Sequence, residues 1–151
     1  MKQTPKKTIW KPPDPSTLKT NFYGAVFEDL GAASIVVVVC NSLGEVKAAL
    51  SEITPLPSLV VALETLATRR AVYFVQELDL QGSIFEGDSE LSISAIKNQC
   101  FHHPSCSHLI KDIMSLVNSI QNYSFFHIRR QGNALARALV RRARLSFPIL
   151  V

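Results

Sequence analysis

The longest apolar run in the chain is nine residues, Ala32 to Cys40, reading Ala-Ala-Ser-Ile-Val-Val-Val-Val-Cys. It has the length of a strand and falls far short of the roughly 20 residues that a membrane helix needs. Its β-branched side chains suit a pleated surface and lose rotamer freedom in a helix. Side chains of a strand alternate between faces, so Ile35 to Val39 place apolar groups on both sides, and both sides must be covered. That requirement excludes a sheet with one wetted face and leaves a sheet with layers on both sides.

The flanking sequence builds the rest of that sheet. Leu18 to Phe27 favours strand, Asn41-Ser42-Leu43-Gly44 is a short turn, and Glu45 to Glu52 is a third strand, so three consecutive antiparallel strands are expected. After Pro55 and Pro57, Ser58 is placed to cap a long helix to about Leu78, with Leu63, Leu66, Ala67, Phe74 and Leu78 at helical spacing. Ser83 to Asp88 reads as a buried strand ending in a carboxylate, and Glu90 to about Lys97 as a short helix. A polar loop rich in His and Cys leads to a helix from Ser107 to Ile120, a strand from Tyr123 to Arg130, and a last helix from Asn133 to about Leu145. The order predicts an α/β fold: a five-stranded mixed sheet, three antiparallel strands followed by parallel ones, with helices on both faces.

A chain of 151 residues, 47% of them hydrophobic, fits one domain. It is expected over residues 18–147, behind an extended, basic, proline-rich lead-in at 1–17. Sixteen Lys and Arg against twelve Asp and Glu give a net +4, which permits a polyanionic partner without requiring one. No apolar signal core follows the basic start, and Cys40, Cys100 and Cys106 are an odd number with no paired framework. These features predict an intracellular protein, nuclear or cytoplasmic, neither secreted nor in a membrane, and a monomer.

Five short motifs arrive in a telling order. They are Trp10-Lys11-Pro12-Pro13 followed by Leu18-Lys19-Thr20-Asn21-Phe22-Tyr23-Gly24-Ala25; the turn Asn41-Ser42-Leu43-Gly44; Ala62-Leu63-Glu64; Glu86-Gly87-Asp88-Ser89; and Ile128-Arg129-Arg130-Gln131-Gly132-Asn133-Ala134-Leu135-Ala136. Together they resemble the plant retroelement-associated, reverse transcriptase-like ribonuclease H type-1 domains, over roughly Trp10 to Phe147. Each motif alone is weak, but their order with matching strands and helices is specific to the fold. The resemblance implies a ribonuclease H-like domain of retrotransposon origin acting on RNA/DNA hybrid. Four carboxylates in such enzymes hold two divalent ions, Mg2+ or Mn2+, which activate a water against a phosphodiester of the RNA strand.

Carried over residue by residue, the helix glutamate falls on Glu64 and the strand-end aspartate on Asp88, both retained. The first-strand aspartate falls on Tyr23 and the last-helix aspartate on Arg137, both replaced. A tyrosine hydroxyl, with a reference pKa of ~10, is neutral near pH 7 and cannot replace an anionic bridging ligand. A guanidinium is worse: unit charges about 4 Å apart interact by ~4 kcal/mol at an effective dielectric of 20, and a divalent ion roughly doubles that as repulsion. Two further departures, Val36 where the family has glycine and Cys40 where a basic residue often ends the strand, bear on packing and on one backbone contact to nucleic acid. The expected outcome is a degenerate active site: a nucleic-acid-binding domain with weak or absent magnesium and impaired cleavage. An active hybrid endoribonuclease, enlisting another ligand such as Glu86, and a non-catalytic protein-interaction scaffold are the alternatives.

Each residue also has a plainer reading. Glu64 shares a helix face with Val60, Ala67, Thr68 and Ala71, and without the resemblance is a surface glutamate. Asp88 suits the N-cap of the following helix. Arg137, Arg141 and Arg144 lie along one face of the last helix behind Arg129 and Arg130, a stripe for phosphates or a solvated basic face. Asn133 is a helix cap or a nucleic-acid contact. Cys100, His102, His103, Cys106 and His108 lack the Cys-x-x-Cys knuckle of a zinc site and read as a loop. His127 reads as a packed or edge-strand residue.

Overall fold

The computed structural model describes residues 17–98 and 104–134, together with Ala138. Strand β1 (Lys19–Phe27) leads through a short 3-10 turn into β2 (Ala32–Cys40) and β3 (Val46–Pro55). Helix α1 (Val60–Glu77), strand β4 (Gly82–Gly87), helices α2 (Glu90–Asn98) and α3 (Pro104–Val117) and strand β5 (Asn122–His127) complete the described elements. The sheet order is β3-β2-β1-β4-β5, with β1, β2 and β3 antiparallel and β1, β4 and β5 parallel. This is the five-stranded mixed sheet that the sequence predicts. Two glycines with positive φ make the hairpins possible: Gly31 (φ 58) ends the 3-10 turn and Gly44 (φ 75) closes the second hairpin. Asn41 holds that second turn, its Oδ1 accepting from the Leu43 and Glu45 N–H groups.

Alternate residues of the strands feed two apolar clusters. Phe22, Ile35, Val37, Val39, Leu50 and Phe85 pack under the helices, against Leu63, Val72, Ile93, Ile96, Ile110 and Ile113. On the other side Tyr23, Val36, Val38, Cys40 and Ala49 form a second buried cluster with Val46 and Ile128 against it. The valine run of β2 serves both, since Val37 and Val39 enter the first and Val36 and Val38 the second. Burying such a side chain fully contributes roughly 1.5–3 kcal/mol.

Several local expectations need correction. Helix α1 has no side-chain cap from Ser58; its N-cap is Leu59, in extended backbone, whose carbonyl accepts from Ala62 and Leu63 N–H. Helix α3 starts at Pro104, upstream of the expected Ser107, so Cys106 and His108 are helical rather than in a loop. Proline tolerates a first helical turn, where its missing N–H would find no partner. Cys106 is buried and His108 exposed, while Cys100, His102 and His103 lie outside the described residues. Strand β5 stops at His127, which is exposed on the sheet edge, and residues 130–134 are helical. Asn133 therefore sits inside a helical turn and does not cap it. The lead-in at residues 1–16 also lies outside the described residues.

Candidate functional site

The parallel pair β1 and β4 occupies the middle of the sheet, and the last register pair between them is Phe22 with Gly87. The next residue on each strand, Tyr23 and Asp88, therefore leaves the ladder side by side. Carboxyl ends of parallel strands are where open α/β sheets place their ligands. Gly87 has to be small there, because an added Cβ would lie 2.6 Å from the Phe22 ring. Gly24 has the same role toward the helix layer, where a Cβ would meet Leu63 Cγ at 2.5 Å. With no side chain at 24, α1 comes close enough for Glu64 Oε1 to accept from the Gly24 N–H at 3.4 Å. Strand register and helix approach thus bring Tyr23, Glu64 and Asp88 to one strand end. Tyr23 is 7% and Glu64 8% exposed, and Asp88 is half-buried. Of the small residues sharing the Glu64 face, Ala67, Thr68 and Ala71 are buried, whereas Val60 is exposed.

The polar groups just behind this point were not foreseen. Lys19 Nζ meets Glu86 Oε1 at 2.6 Å with both side chains nearly buried. Asn21 donates from Nδ2 to Asn133 Oδ1 at 3.1 Å, and Asn133 Nδ2 donates to the Phe22 carbonyl at 3.1 Å. The one signal for these contacts is Lys19 and Asn21 at alternate positions of an otherwise apolar strand. Asn133 is thereby fixed to β1, and it is fully buried rather than presented to solvent. Glu86, considered as a substitute metal ligand, has its carboxylate engaged by Lys19. Cys40, register partner of Lys19, is a buried thiol pushed up to about 11, because burial disfavours the thiolate more than the Lys19 ammonium helps it.

Asp88 does not cap α2. That role belongs to Ser89, whose Oγ accepts from Ser92 N–H at 3.3 Å and whose carbonyl accepts from Ile93 N–H at 3.1 Å. Beyond β5, Ile128 N–H donates to the Gly87 carbonyl at 2.8 Å, so Arg129 and Arg130 leave the sheet next to Asp88, both exposed. Arg137, Arg141 and Arg144 lie outside the described residues. Among the described residues no group of three or more His, Cys, Asp or Glu side chains is placed to hold a metal ion. Glu64 and Asp88 supply two carboxylates where a pair of hard dications calls for more oxygen ligands.

The sequence profile of the reverse transcriptase-like family matches residues 21–143, from the strand that bears Tyr23 past the basic segment after β5. The chain belongs to this family. The match includes Tyr23, Glu64, Asp88 and Arg137; Lys19 falls just before it and Arg144 just beyond it. None of the curated proteins matches the sequence. Among solved structures, ribonuclease H1 of the archaeon Halobacterium salinarum superposes with a TM-score of 0.70 at 18% identity, over 85% of this chain and 100% of that one. LC11-RNase H1, isolated from compost by a metagenomic approach and solved in complex with RNA/DNA hybrid, gives 0.71 at 22% identity, over 82% and 93%. Prototype foamy virus protease–reverse transcriptase gives 0.61 at 14% identity, over 95% of this chain and 23% of that much longer one. These likenesses establish the ribonuclease H-like fold for this reverse transcriptase-like chain. Among its described residues no helix is long and apolar enough to cross a membrane.

Proposed function

We propose that the chain is a nucleic-acid-binding domain of ribonuclease H type that recognises RNA/DNA hybrid by its backbone and cleaves the RNA strand poorly or not at all. One observation carries the reading. Tyr23 stands in β1 one residue past its last pairing with β4, before the Gly24 that bonds Glu64, and its ring is buried in the cluster of Val36, Val38 and Cys40 instead of offering a carboxylate. A neutral phenol in that place supplies neither the charge nor the bridging geometry that two dications need. Mg2+ and Mn2+ therefore do not fit the donor set of the described residues, and no hydrolytic step is assigned to it. By the resemblance, Arg137 puts a fixed positive charge at the fourth carboxylate position.

Binding needs less than cleavage. Hybrid recognition rests on shape and phosphate contacts, which exposed cations supply without any metal. Arg129 and Arg130, exposed beside Asp88, are the described residues suited to that contact, with Arg141 and Arg144 following in the sequence. Ribonuclease H1 neighbours of the same fold, one of them solved on RNA/DNA hybrid, support this choice of ligand.

The test pairs the native protein with the double variant Tyr23→Asp, Arg137→Asp. Native protein is expected to bind a labelled hybrid without magnesium, with log Kd rising steeply with log salt, by about 0.9 for each phosphate neutralised. It should leave the RNA strand intact, and the double variant should gain Mn2+- or Mg2+-dependent cleavage. Metal-dependent cleavage by the native protein, abolished by Asp88→Asn, would overturn the proposal; so would binding indifferent to salt.

A further inference from the structure

Strand β5 is an edge of the sheet, and its exposed side chains are unlike those of an ordinary edge strand. Edges are commonly protected by scattered charge or proline. Here Tyr123 and Phe126 are 42% and 49% exposed, and both line one cleft of about 330 Å3. Ile96 and Lys97 of α2 and Met114 of α3 form its other walls. Lys97 Nζ lies 5.3 Å from the centre of the Phe126 ring, and among the described residues that line the cleft none is acidic. Tyr123 is held on edge against Phe125, with ring centres 5.8 Å apart, so its orientation is fixed by a core residue.

The cleft is also continuous with the proposed site. Following β5 forward from it, His127 is exposed, Ile128 bonds to Gly87, and Arg129 and Arg130 stand exposed beside Asp88. At about 3.3 Å per residue, Phe126 lies roughly 7 Å from Ile128 and Tyr123 roughly 17 Å, a track of a few nucleotides. Two exposed rings for bases, a lysine beside one of them, and two arginines further along the chain are the components of a groove for unpaired nucleic acid. The cleft volume is at the small end of the ~300–1,000 Å3 usual for ligand sites, which suits a single base with its sugar. Among the described residues that line the cleft the one charged group is the Lys97 ammonium, and that favours a polyanion over a peptide laid along the same edge.

We infer that the β5 edge is a second nucleic-acid contact, which takes a single-stranded tail leaving the hybrid and stacks its bases on Phe126 and Tyr123. The inference rests on the hybrid-binding reading, because the tail is delivered by a duplex seated at the strand end. Lys97 and the rings act on the tail alone, and the duplex is held elsewhere.

Three labelled ligands test it by equilibrium titration: a blunt hybrid, the same hybrid carrying a single-stranded extension of about six nucleotides on one strand or the other, and the extension alone, a length within the range of single-strand sites. Native protein should bind the better extended hybrid about tenfold more tightly than the blunt one, the gain expected of one stacked base. Phe126→Ala should remove most of that gain and leave blunt binding unchanged. Lys97→Gln, which leaves the ring in place, should reduce the gain and flatten its salt dependence. Equal affinity for blunt and extended hybrids overturns the inference, leaving the edge to a peptide strand and the hybrid-binding reading intact. A gain that survives both substitutions, in protein whose circular dichroism is native, overturns it as well. If no hybrid binds but the single strand does so through Phe126, the cleft stands and the hybrid reading falls; if nothing binds, both fall.

Discussion

Toward helix α1, strand β1 presents Thr20, Phe22 and Gly24; toward the other side of the sheet the same strand presents Lys19, Asn21 and Tyr23. The first side follows the rules of a protein core. Phe22 is closed in among aliphatic side chains, Thr20 and Ser83 share a neutral hydroxyl contact at 2.7 Å, and Gly24 lets Leu63 approach. The second side is also buried, yet it holds an ammonium against a carboxylate, two amides bonded to each other, and a phenol among valines. Its ammonium and its amides are matched to charged or amide partners, whereas the first side holds one neutral hydroxyl pair in an otherwise apolar setting. Burial of that costly kind is what a site requires, because oriented polar groups in a dry place hold their geometry. Here such orientation is found at positions 19 and 21, while at position 23, just past the last pairing with β4, the side chain joins the apolar cluster.

The largest expected difference between the two sides lies in rescue. Glu86→Leu removes the carboxylate that Lys19 meets at 2.6 Å and should cost about 3–5 kcal/mol. Adding Lys19→Met should restore most of that loss, since replacing both members of a buried pair by apolar residues is often neutral or better. On the helix side Phe85→Ala should cost a similar ~3–5 kcal/mol through the cavity it leaves, and Lys19→Met should not recover it. Urea unfolding of the four variants beside the native protein measures each value. If Lys19→Met fails to rescue Glu86→Leu, the pair is not what sets the stability of the second side, and the contrast is lost.

Cys40 gives a smaller effect, confined to alkaline pH. Its folded-state value is raised from the ordinary 9.0 to about 11 by burial, so the folded chain holds the thiol proton more tightly than the unfolded chain. The stability from this residue is thus fully present below pH 9 and is lost as pH rises from 9 through 11. Two units correspond to roughly 3 kcal/mol. Unfolding measured at pH 8 and pH 11 in the native protein and in Cys40→Ala should show a steeper alkaline loss in the native protein by about that amount. Equal losses would mean that the second side tolerates a thiolate and is wetter than its burial implies.

What could be read from the sequence divides along similar lines. The bounds of β2 follow from its valines, because an apolar run covered on both sides has one assignment, and Ala32 to Cys40 is the strand observed. The start of α1 did not follow, because the local cue at Ser58 is overridden by the close approach of Leu63 to Gly24, about 40 residues earlier. Strand β3 runs on to Pro55, beyond the expected Glu52, since the end of an edge strand tolerates a proline. Of the site, Tyr23, Glu64 and Asp88 were placed through the resemblance; register sets Tyr23 and Asp88 each one residue past the last β1–β4 pair, and a hydrogen bond ties Glu64 to Gly24. The Asn21–Asn133 contact joins residues 112 apart, and no period or motif in a single sequence announces such a partner. The partnering of Lys19 with Glu86 was hidden for the same reason. Arg137, Arg141 and Arg144 remain expectations of the sequence alone.

The smallest effect separates two adjacent residues at the strand end. Ser89 makes the N-cap bonds of α2 and Asp88 does not. Ser89→Ala should therefore cost about 1 kcal/mol, the usual value of a lost cap. Asp88→Asn should change stability by no more than ~0.3–1 kcal/mol, the worth of a negative charge near an exposed helix N-terminus, and salt should screen even that. A carboxylate retained for ligand contact is free to be neutral toward folding, and one retained as a cap is not. If thermal unfolding ranks the two variants the other way, Asp88 is held by the helix, its retention says nothing about an ancestral metal pair, and the assignment of this strand end as the site loses one of its three members.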